Sequence, residues 1–181
     1  TYAVDQYFSG GIAKSTTAAI AGTTDDFLYQ SERFINNGPL SYAFAVAIGS
    51  EYRVTVKMAE TFYTAAGQRI FHIQVEGVQI ATAVDLVALV GPNFAYDVVH
   101  TFTALDSTFN INFVNGANGK DNPKVSAILV ELLPTAAQQE AATKLAEEEA
   151  AFKEAEKARL SIEAEEVARS KPEAEEVIRI K

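Results

Sequence analysis

The chain has 181 residues and a formal net charge of −9 at pH 7, so it has room for one domain plus an appendage but lacks the positive charge that non-specific nucleic-acid binding requires. It contains no cysteine, which excludes disulfides, thiolate metal sites and cysteine nucleophiles. Two histidines, His72 and His100, are too few for most histidine-built metal or catalytic centres, and no apolar run approaches the roughly 18 residues that cross a bilayer. We therefore expect no metal, no cofactor, no nucleic-acid partner and no membrane span.

The composition changes sharply after Pro134. Only 19 of the first 134 residues are charged, against 20 of the last 47, and 17 of the 18 aromatic side chains come before this point. The first part is typical of a β-rich globular domain and the second of an Ala/Glu/Lys-rich helix. We predict a domain over 1–133 and a charged helical extension over 134–181. Because the chain begins at Thr1 with neither a methionine nor a signal-like segment, we expect it to be a piece of a larger protein.

Apolar residues alternate with polar ones along most of the first part. Within 52–58, for example, Val54, Val56 and Met58 share one face, which is the pattern of a half-buried strand. The chain predicts about seven such strands, at 28–34, 42–48, 52–58, 69–75, 98–103, 108–114 and 124–133.

Turn-forming residues separate these strands. Clusters of Asn, Gly and Pro occur at 36–39, at 91–93 and along the longer loop 115–123. Many short strands at this spacing, with no alternating helical pattern, favour an antiparallel β-sandwich or jelly roll over a parallel sheet. The predicted fold class is mainly β, a sandwich followed by a long C-terminal helix.

The domain offers little that points to catalysis. It has no GxSxG nucleophile elbow and no glycine-rich phosphate loop leading into a helix. His72 and His100 fall at strand positions, where an exposed or hydrogen-bonded histidine is the ordinary interpretation. Two of the residues Glu32, Glu60 and Asp121 could form the carboxylate pair that glycoside hydrolysis uses, but structural ion pairs are the commoner role of such residues. We predict that the protein is not an enzyme.

Several blocks of the domain resemble the malectin and malectin-like carbohydrate-binding domains. They are Leu-Tyr-Gln-Ser-Glu-Arg-Phe at 28–34, Lys-Met-Ala-Glu-Thr-Phe-Tyr at 57–63, Ala-Ala-Gly-Gln-Arg-Ile-Phe at 65–71, and Asp-Asn-Pro-Lys-Val-Ser-Ala-Ile at 121–128. Asp-Gln-Tyr-Phe-Ser-Gly-Gly at 5–11 is similar to the start of bacterial and protist members. The blocks follow the family order, and the resemblance implies a jelly-roll-like lectin domain that binds oligosaccharide without cleaving it.

Matched motif by motif, the resemblance implies a sugar site built from Tyr2, Tyr29, Phe62, Tyr63 and Asp121. Such a site is chemically reasonable, because a sugar ring has an apolar C–H face that stacks on an aromatic ring and hydroxyls that bond to fixed polar groups. Since the chain has no tryptophan, the stacking surface must be Tyr or Phe. The alternative is that Tyr29 and Phe62 pack in the core and that Asp121 only shapes a turn.

The sequence also departs from the family pattern. Phe62-Tyr63 reverses the Tyr-Phe order of malectin, and His72 stands where members usually have aspartate. The first strand that members carry before the position of Tyr2 does not occur in this sequence. Either it was removed or another segment completes the sheet, and an uncompleted edge would be open for pairing. We therefore do not expect the glycan specificity of malectin itself. Separately, we expect Glu32 and Arg33 to form a structural pair beneath the site rather than ligand contacts.

The extension begins with Thr135-Ala136-Ala137-Gln138, a capping-box pattern, and predicts a helix through about residue 169 with a break near 170–172. A heptad through Leu145, Phe152 and Ile162 puts Glu148 and Arg159 on its seam, so a solvated helix or a helix docked on a protein partner is favoured over a coiled coil. Two functions follow. One is a lectin-like module for an oligosaccharide or glycoconjugate, with helix 135–169 as stalk or docking element. The other is a structural or protein-interaction module that has lost sugar binding.

Overall fold

The computed structural model describes residues 3–35, 40–115 and 118–176, with side chains described as far as residue 169. The chain divides into two compact units, Thr1–Leu133 and Pro134–Lys181. The regular structure in the described part of the first unit is mostly strand, and the described part of the second unit contains one helix.

The described residues of the first unit form eleven strands and two short helices. In chain order the strands are β1 (Phe8–Ser9), β2 (Ile12–Ser15), β3 (Ser31–Phe34), β4 (Leu40–Ala45), β5 (Glu51–Met58), β6 (Phe71–Val75), β7 (Val78–Val84), β8 (Tyr96–Thr103), β9 (Thr108–Val114), β10 (Lys124–Val125) and β11 (Ala127–Leu132). Helix α1 (Asp26–Gln30) precedes β3, and helix α2 (Leu86–Val90) follows β7.

These strands form a sandwich with a small side sheet. The five-stranded sheet has the order β1-β4-β9-β6-β7, a three-stranded sheet has the order β11-β5-β8, and a second three-stranded sheet has the order β10-β3-β2. Neighbouring strands in all three sheets pair antiparallel. Inward side chains of the first two sheets join in one hydrophobic cluster, which identifies them as the two layers of the sandwich. The predicted mainly-β sandwich is confirmed.

The period-two alternation correctly identifies the core. Val54, Val56 and Met58 on β5 are fully buried. The same holds for the inward residues of β6 and β9, namely Phe71, Ile73, Phe109, Ile111 and Phe113. Each inward residue is followed by a residue that faces away from this cluster, because successive side chains of a strand point to opposite faces of the sheet.

Two of the predicted strands differ from the structure by more than a shift of their ends. Residues 28–30 belong to α1, and β3 starts only at Ser31. Two consecutive acidic residues favour a helix start there, and the Asp26 carboxylate accepts a hydrogen bond from the Ile20 amide at 3.1 Å. The predicted strand 124–133 is divided at Ser126, because β10 pairs with β3 in the side sheet whereas β11 pairs with β5 in the sandwich.

The described part of the second unit contains helix α3 (Ala136–Glu176). The capping box forms as predicted: the Thr135 amide donates to Gln138 Oε1 at 2.8 Å, and the Gln138 amide donates to Thr135 Oγ1 at 3.3 Å. The helix is continuous across 170–172, which differs from the predicted break. Pro172 disfavours the interior of a helix, whereas its Ala- and Glu-rich neighbours favour it. None of the described helices combines the length and apolar character that crossing a bilayer requires.

Candidate functional site

An aromatic pair lies on the surface just after β5. Phe62 is 60% exposed, Tyr63 is half-buried, and their rings meet edge to face with centroids 4.9 Å apart. The Lys14 ammonium, which comes from β2, lies 4.8 Å from the centre of the Phe62 ring. Phe62 and Tyr63 therefore form an exposed aromatic surface, which we call the platform.

A buried carboxylate holds the backbone of the platform. Glu60 is 1% exposed, and its Oε1 accepts hydrogen bonds from the Phe62 amide at 2.9 Å and from the Tyr63 amide at 3.1 Å. Hydrogen bonds from amides to a charged carboxylate oxygen are stronger than hydrogen bonds between neutral groups. The Glu60 carboxylate therefore holds the backbone of the turn that carries the platform.

The structure brings Asp121 next to the platform. Its carboxylate interacts with the Tyr63 hydroxyl, and the pKa of Tyr63 is raised first by partial removal from water and then by this carboxylate. Asp121 has a left-handed backbone, with φ of +54°, and Asn115 Nδ2 donates to its carbonyl oxygen at 2.7 Å. The Asp121 side chain remains 25% exposed. An aromatic surface and a carboxylate thus share one face.

Tyr29 is not part of this exposed face. It is 4% exposed and packs with Ile20 and Ala59 in a small hydrophobic cluster. Its hydroxyl donates to Asp97 Oδ1 at 2.7 Å and accepts from Lys57 Nζ at 3.3 Å. Burial, followed by the bond to Asp97, raises the pKa of Tyr29. The structure thus places Tyr29 as core packing, and Tyr2 lies outside the described residues.

A network of buried charges lies beneath the platform. Lys124 is fully buried, and its ammonium contacts Glu32 Oε2 directly and lies 4.0 Å from Glu60 Oε1. Burial lowers the pKa of Lys124, against the opposing attraction of the two carboxylates. Thr61 Oγ1 also donates to Glu32 Oε2, at 3.4 Å. Each carboxylate is paired with a cation, so the arrangement is that of a structural support.

The expected pair between Glu32 and Arg33 is wrong. Adjacent strand residues point to opposite faces, so Arg33 lies on the other side of β3 from the buried network. There its Nε lies 2.6 Å from Asp5 Oδ2, and its guanidinium lies 3.4 Å from the centre of the Phe8 ring. Glu32 takes Lys124 as its partner instead.

Sequence reasoning missed the cations that organise the site. Arg69 and Lys124 lie inside the quoted sequence blocks, at positions predicted only as the first residues of the strands 69–75 and 124–133. The available signal was a balance of charge, because buried Glu32 and Glu60 require cationic partners. Lys14, which lies over Phe62, carried no comparable signal.

Among the described residues, the histidines and carboxylates do not form a metal centre. His72 Nδ1 accepts a hydrogen bond from the Ala83 amide at 3.1 Å, which agrees with the interpretation of a hydrogen-bonded strand histidine. Within the part of the chain that the structure describes, no group of three or more His, Asp or Glu side chains could hold a metal ion.

A cleft of about 460 Å³ has a lining that shares Glu32 with the buried network but excludes the platform. It is bounded by the segment 3–7, α1, β3, β4 and the segment 125–128, and its aromatic lining includes Tyr7, Phe27, Tyr42 and Phe44. Phe27 is 79% exposed. The residues that line the cleft do not include Phe62, Tyr63 or Asp121. Phe27 therefore offers an exposed phenylalanine away from the platform for comparison.

Comparisons with known sequences agree with the fold. The Malectin domain model matches residues 1–128. Malectin-B of Xenopus laevis is 30% identical over 122 residues, covering 59% of this chain and 42% of that protein. Malectin of Danio rerio is 29% identical over 119 residues, covering 59% of this chain and 41% of that protein. The matched region thus spans less than half the length of these curated relatives.

Solved structures show the same architecture at low sequence identity. The ANX2 ectodomain from Arabidopsis thaliana has a TM-score of 0.65 and 9% identity, over 72% of this chain and 42% of that one. The plant receptor-like kinase FER has a TM-score of 0.65 and 15% identity, with the same two coverages. At these identities the likeness shows the fold alone.

Proposed function

Because this chain belongs to the malectin domain family, a non-catalytic family with a carbohydrate-binding fold, we propose that it binds an oligosaccharide or glycoconjugate without cleaving it, using Phe62, Tyr63 and Asp121. The observation that carries the proposal is an exposed aromatic platform beside a partly exposed carboxylate, both held by buried charges. In this arrangement the apolar face of a sugar ring stacks on Phe62. The Tyr63 hydroxyl and the Asp121 carboxylate bond to hydroxyls at its rim.

Rigidity supports the proposed role of the platform. A weakly bound sugar gains affinity when the groups that meet it lose little conformational freedom on binding. The platform meets this condition, because the amides of Phe62 and Tyr63 are both held by Glu60. In this proposal Tyr29 supports the site from the core rather than by direct contact. Tyr2, which the resemblance assigns to the sugar site, remains a predicted further contact with the sugar.

The first experiment is a glycan array on the full chain, followed by titration of the best binder against two single variants. Phe62→Ala removes the stacking surface, and we expect an affinity loss of at least about tenfold, the effect of truncating a central aromatic contact. Its melting temperature should stay within a few degrees, because Phe62 is 60% exposed.

Phe27→Ala is the matched control. It truncates a phenylalanine that is 79% exposed and lines the separate cleft, so the proposal expects unchanged affinity. Loss of binding in Phe27→Ala but not in Phe62→Ala would move the sugar site to the cleft. If the wild type retains no glycan, the proposal fails outright.

One observation favours a second function, that of a structural or protein-interaction module. Tyr29, which the resemblance assigns to sugar binding, has its hydroxyl bonded to Asp97 and Lys57 and leaves little of its ring exposed. A domain with fewer sugar-facing groups fits a role in which glycan binding has been lost. An array with no binder, from a folded protein, would support this function.

We further propose that the domain is a module of a larger protein, since the match covers 42% of a curated relative. Helix 135–169 then serves as a stalk or docking element for a protein partner. Its exposed apolar residues, including Leu145, Phe152 and Ile162, support a docking role.

A further inference from the structure

Arg69 touches both halves of the proposed site from within the domain. Its Nε lies 2.8 Å from Glu60 Oε2, its Nη2 lies 3.1 Å from Asp121 Oδ2, and its Nη1 donates to the Asn122 carbonyl at 2.7 Å. The guanidinium carbon lies 5.3 Å from the centre of the Tyr63 ring. The side chain is only 7% exposed. One buried cation therefore contacts both the platform and the loop that carries Asp121.

The contact with Glu60 acts on the platform. Glu60 binds Arg69 through Oε2 and the platform amides through Oε1, so a single carboxylate joins the two. A shift of the guanidinium would draw this carboxylate with it. The position of Arg69 and the position of the Phe62–Tyr63 turn are therefore linked through one rigid group.

The other two contacts act on the loop that carries Asp121. Asp121 adopts a left-handed backbone, with φ of +54°, which is uncommon for a residue with a side chain, although Asp tolerates it better than most. Arg69 binds the side chain of Asp121 and the carbonyl of the next residue. These two contacts, one to the Asp121 side chain and one to the backbone that follows it, help to hold the carboxylate beside Tyr63.

We propose that Arg69 is a positioning residue that fixes the separation and orientation of the aromatic platform relative to the Asp121 carboxylate, an inference that rests on the proposed function of this site. A guanidinium suits the role because its donors form a planar fork of fixed geometry, which lysine cannot reproduce. Arg69 itself does not contact the sugar. It sets the geometry in which Phe62 and Asp121 meet the same ring.

The test compares Arg69→Met with Arg33→Met in the full chain. Arg33 is a matched control, because it too is largely buried, pairs with a carboxylate, donates to a backbone carbonyl (Gly11 at 2.8 Å) and lies over an aromatic ring. Both variants should lower the melting temperature. Only Arg69→Met should weaken binding of the array-selected oligosaccharide, by at least tenfold. Affinity within twofold of wild type in folded Arg69→Met would overturn the proposal.

Arg69→Lys covers the case in which Arg69→Met does not fold. Lysine keeps the positive charge and can make one of the contacts that Arg69 makes, so the protein should remain folded. Its affinity for the oligosaccharide should still fall about tenfold. Full recovery of affinity in Arg69→Lys would show that charge, and not geometry, is what the site needs, and would equally overturn the proposal.

A ligand-free measurement separates this inference from the proposed function. In ¹H–¹⁵N spectra, Arg69→Met should shift the amide signals of Phe62 and Tyr63 together with those of Asp121 and Asn122, whereas Arg33→Met should leave them in place. If the wild type binds no saccharide but these coupled shifts occur, the sugar function fails and the positioning role stands. Shifts confined to the Asp121 side would refute the positioning role whatever the protein binds.

Discussion

The resemblance assigns Tyr29 to the sugar site, whereas the fold places its side chain in the core. Two substitutions of Tyr29 distinguish these roles. Tyr29→Phe removes only the hydroxyl, which contacts Asp97 and Lys57, whereas Tyr29→Ala also removes a ring that is 4% exposed. If the ring is core, the first change should cost little and the second should cost much. If the hydroxyl meets sugar, the first change alone should weaken binding.

The contacts set the expected magnitudes. In Tyr29→Phe the pair between Lys57 and Asp97, at 2.6 Å, survives, and Asp97 is exposed enough for water to replace the lost bond. We expect a loss of about 1 kcal/mol in the free energy of unfolding. In Tyr29→Ala the ring leaves a cavity beside Ile20 and Ala59, and we expect about 3–5 kcal/mol, which corresponds to roughly 10–20 °C in melting temperature.

The assay is urea unfolding combined with titration of the array-selected glycan. Tyr29→Phe should bind within about twofold of wild type. Tyr63→Phe is the matched deletion of a hydroxyl at the proposed site, and it should lose several-fold in affinity with little loss of stability, because Tyr63 is only half-buried. A tenfold loss of affinity in Tyr29→Phe, with stability near wild type, would refute the placement of Tyr29 in the core.

The pH dependence of the same variant gives an independent check. The folded protein raises the pKa of Tyr29 above the ordinary value of about 10, so the folded state keeps this proton more tightly than the unfolded state. The stability that the hydroxyl contributes is therefore complete below about pH 10 and is lost as the pH rises beyond it. The difference in stability between wild type and Tyr29→Phe should shrink above pH 10.

Two further predictions concern the buried cation and the helix. Lys124→Met leaves Glu32 and Glu60 without their shared ammonium. Urea unfolding should show a loss of about 3–5 kcal/mol in the free energy of unfolding, because one partner of a buried ion pair has been removed. A loss below about 1 kcal/mol would mean that Lys124 is not needed as their counter-charge. In sedimentation the full chain should behave as a monomer, because the charged residues Glu148 and Arg159 lie on the heptad seam of α3 and disfavour a coiled coil. A dimer that dissociates in Leu145→Glu would show that the helix self-associates.

The alternation of residues was sufficient to predict the core of the sandwich. Phe109, Ile111 and Phe113 are fully buried, as their spacing predicts, because a strand has only two faces and burying either face selects every second residue. The same rule shows why a pair between Glu32 and Arg33 could not form. It could not predict α1, because over five residues a helix and a strand present similar short apolar patterns.

The site was predictable in part. The resemblance singled out Phe62, Tyr63 and Asp121, and the structure brings these three together. Arg69 and Lys124 were not predicted, because a basic residue in a strand or loop is ordinarily exposed. Their burial becomes favourable only once Glu32 and Glu60 lie beside them, and no local pattern records that neighbourhood.

By itself, the sequence determined the class of the fold, the boundary in composition near Pro134 and the capping box that begins α3. These features depend on residues that are close together in the chain, or on a period that repeats within one element. Only the tertiary structure decided that Tyr29 is core and that Arg69 joins the platform to Asp121. The physical reason is that burial and charge pairing depend on residues tens of positions apart, which meet only when the sheets have packed.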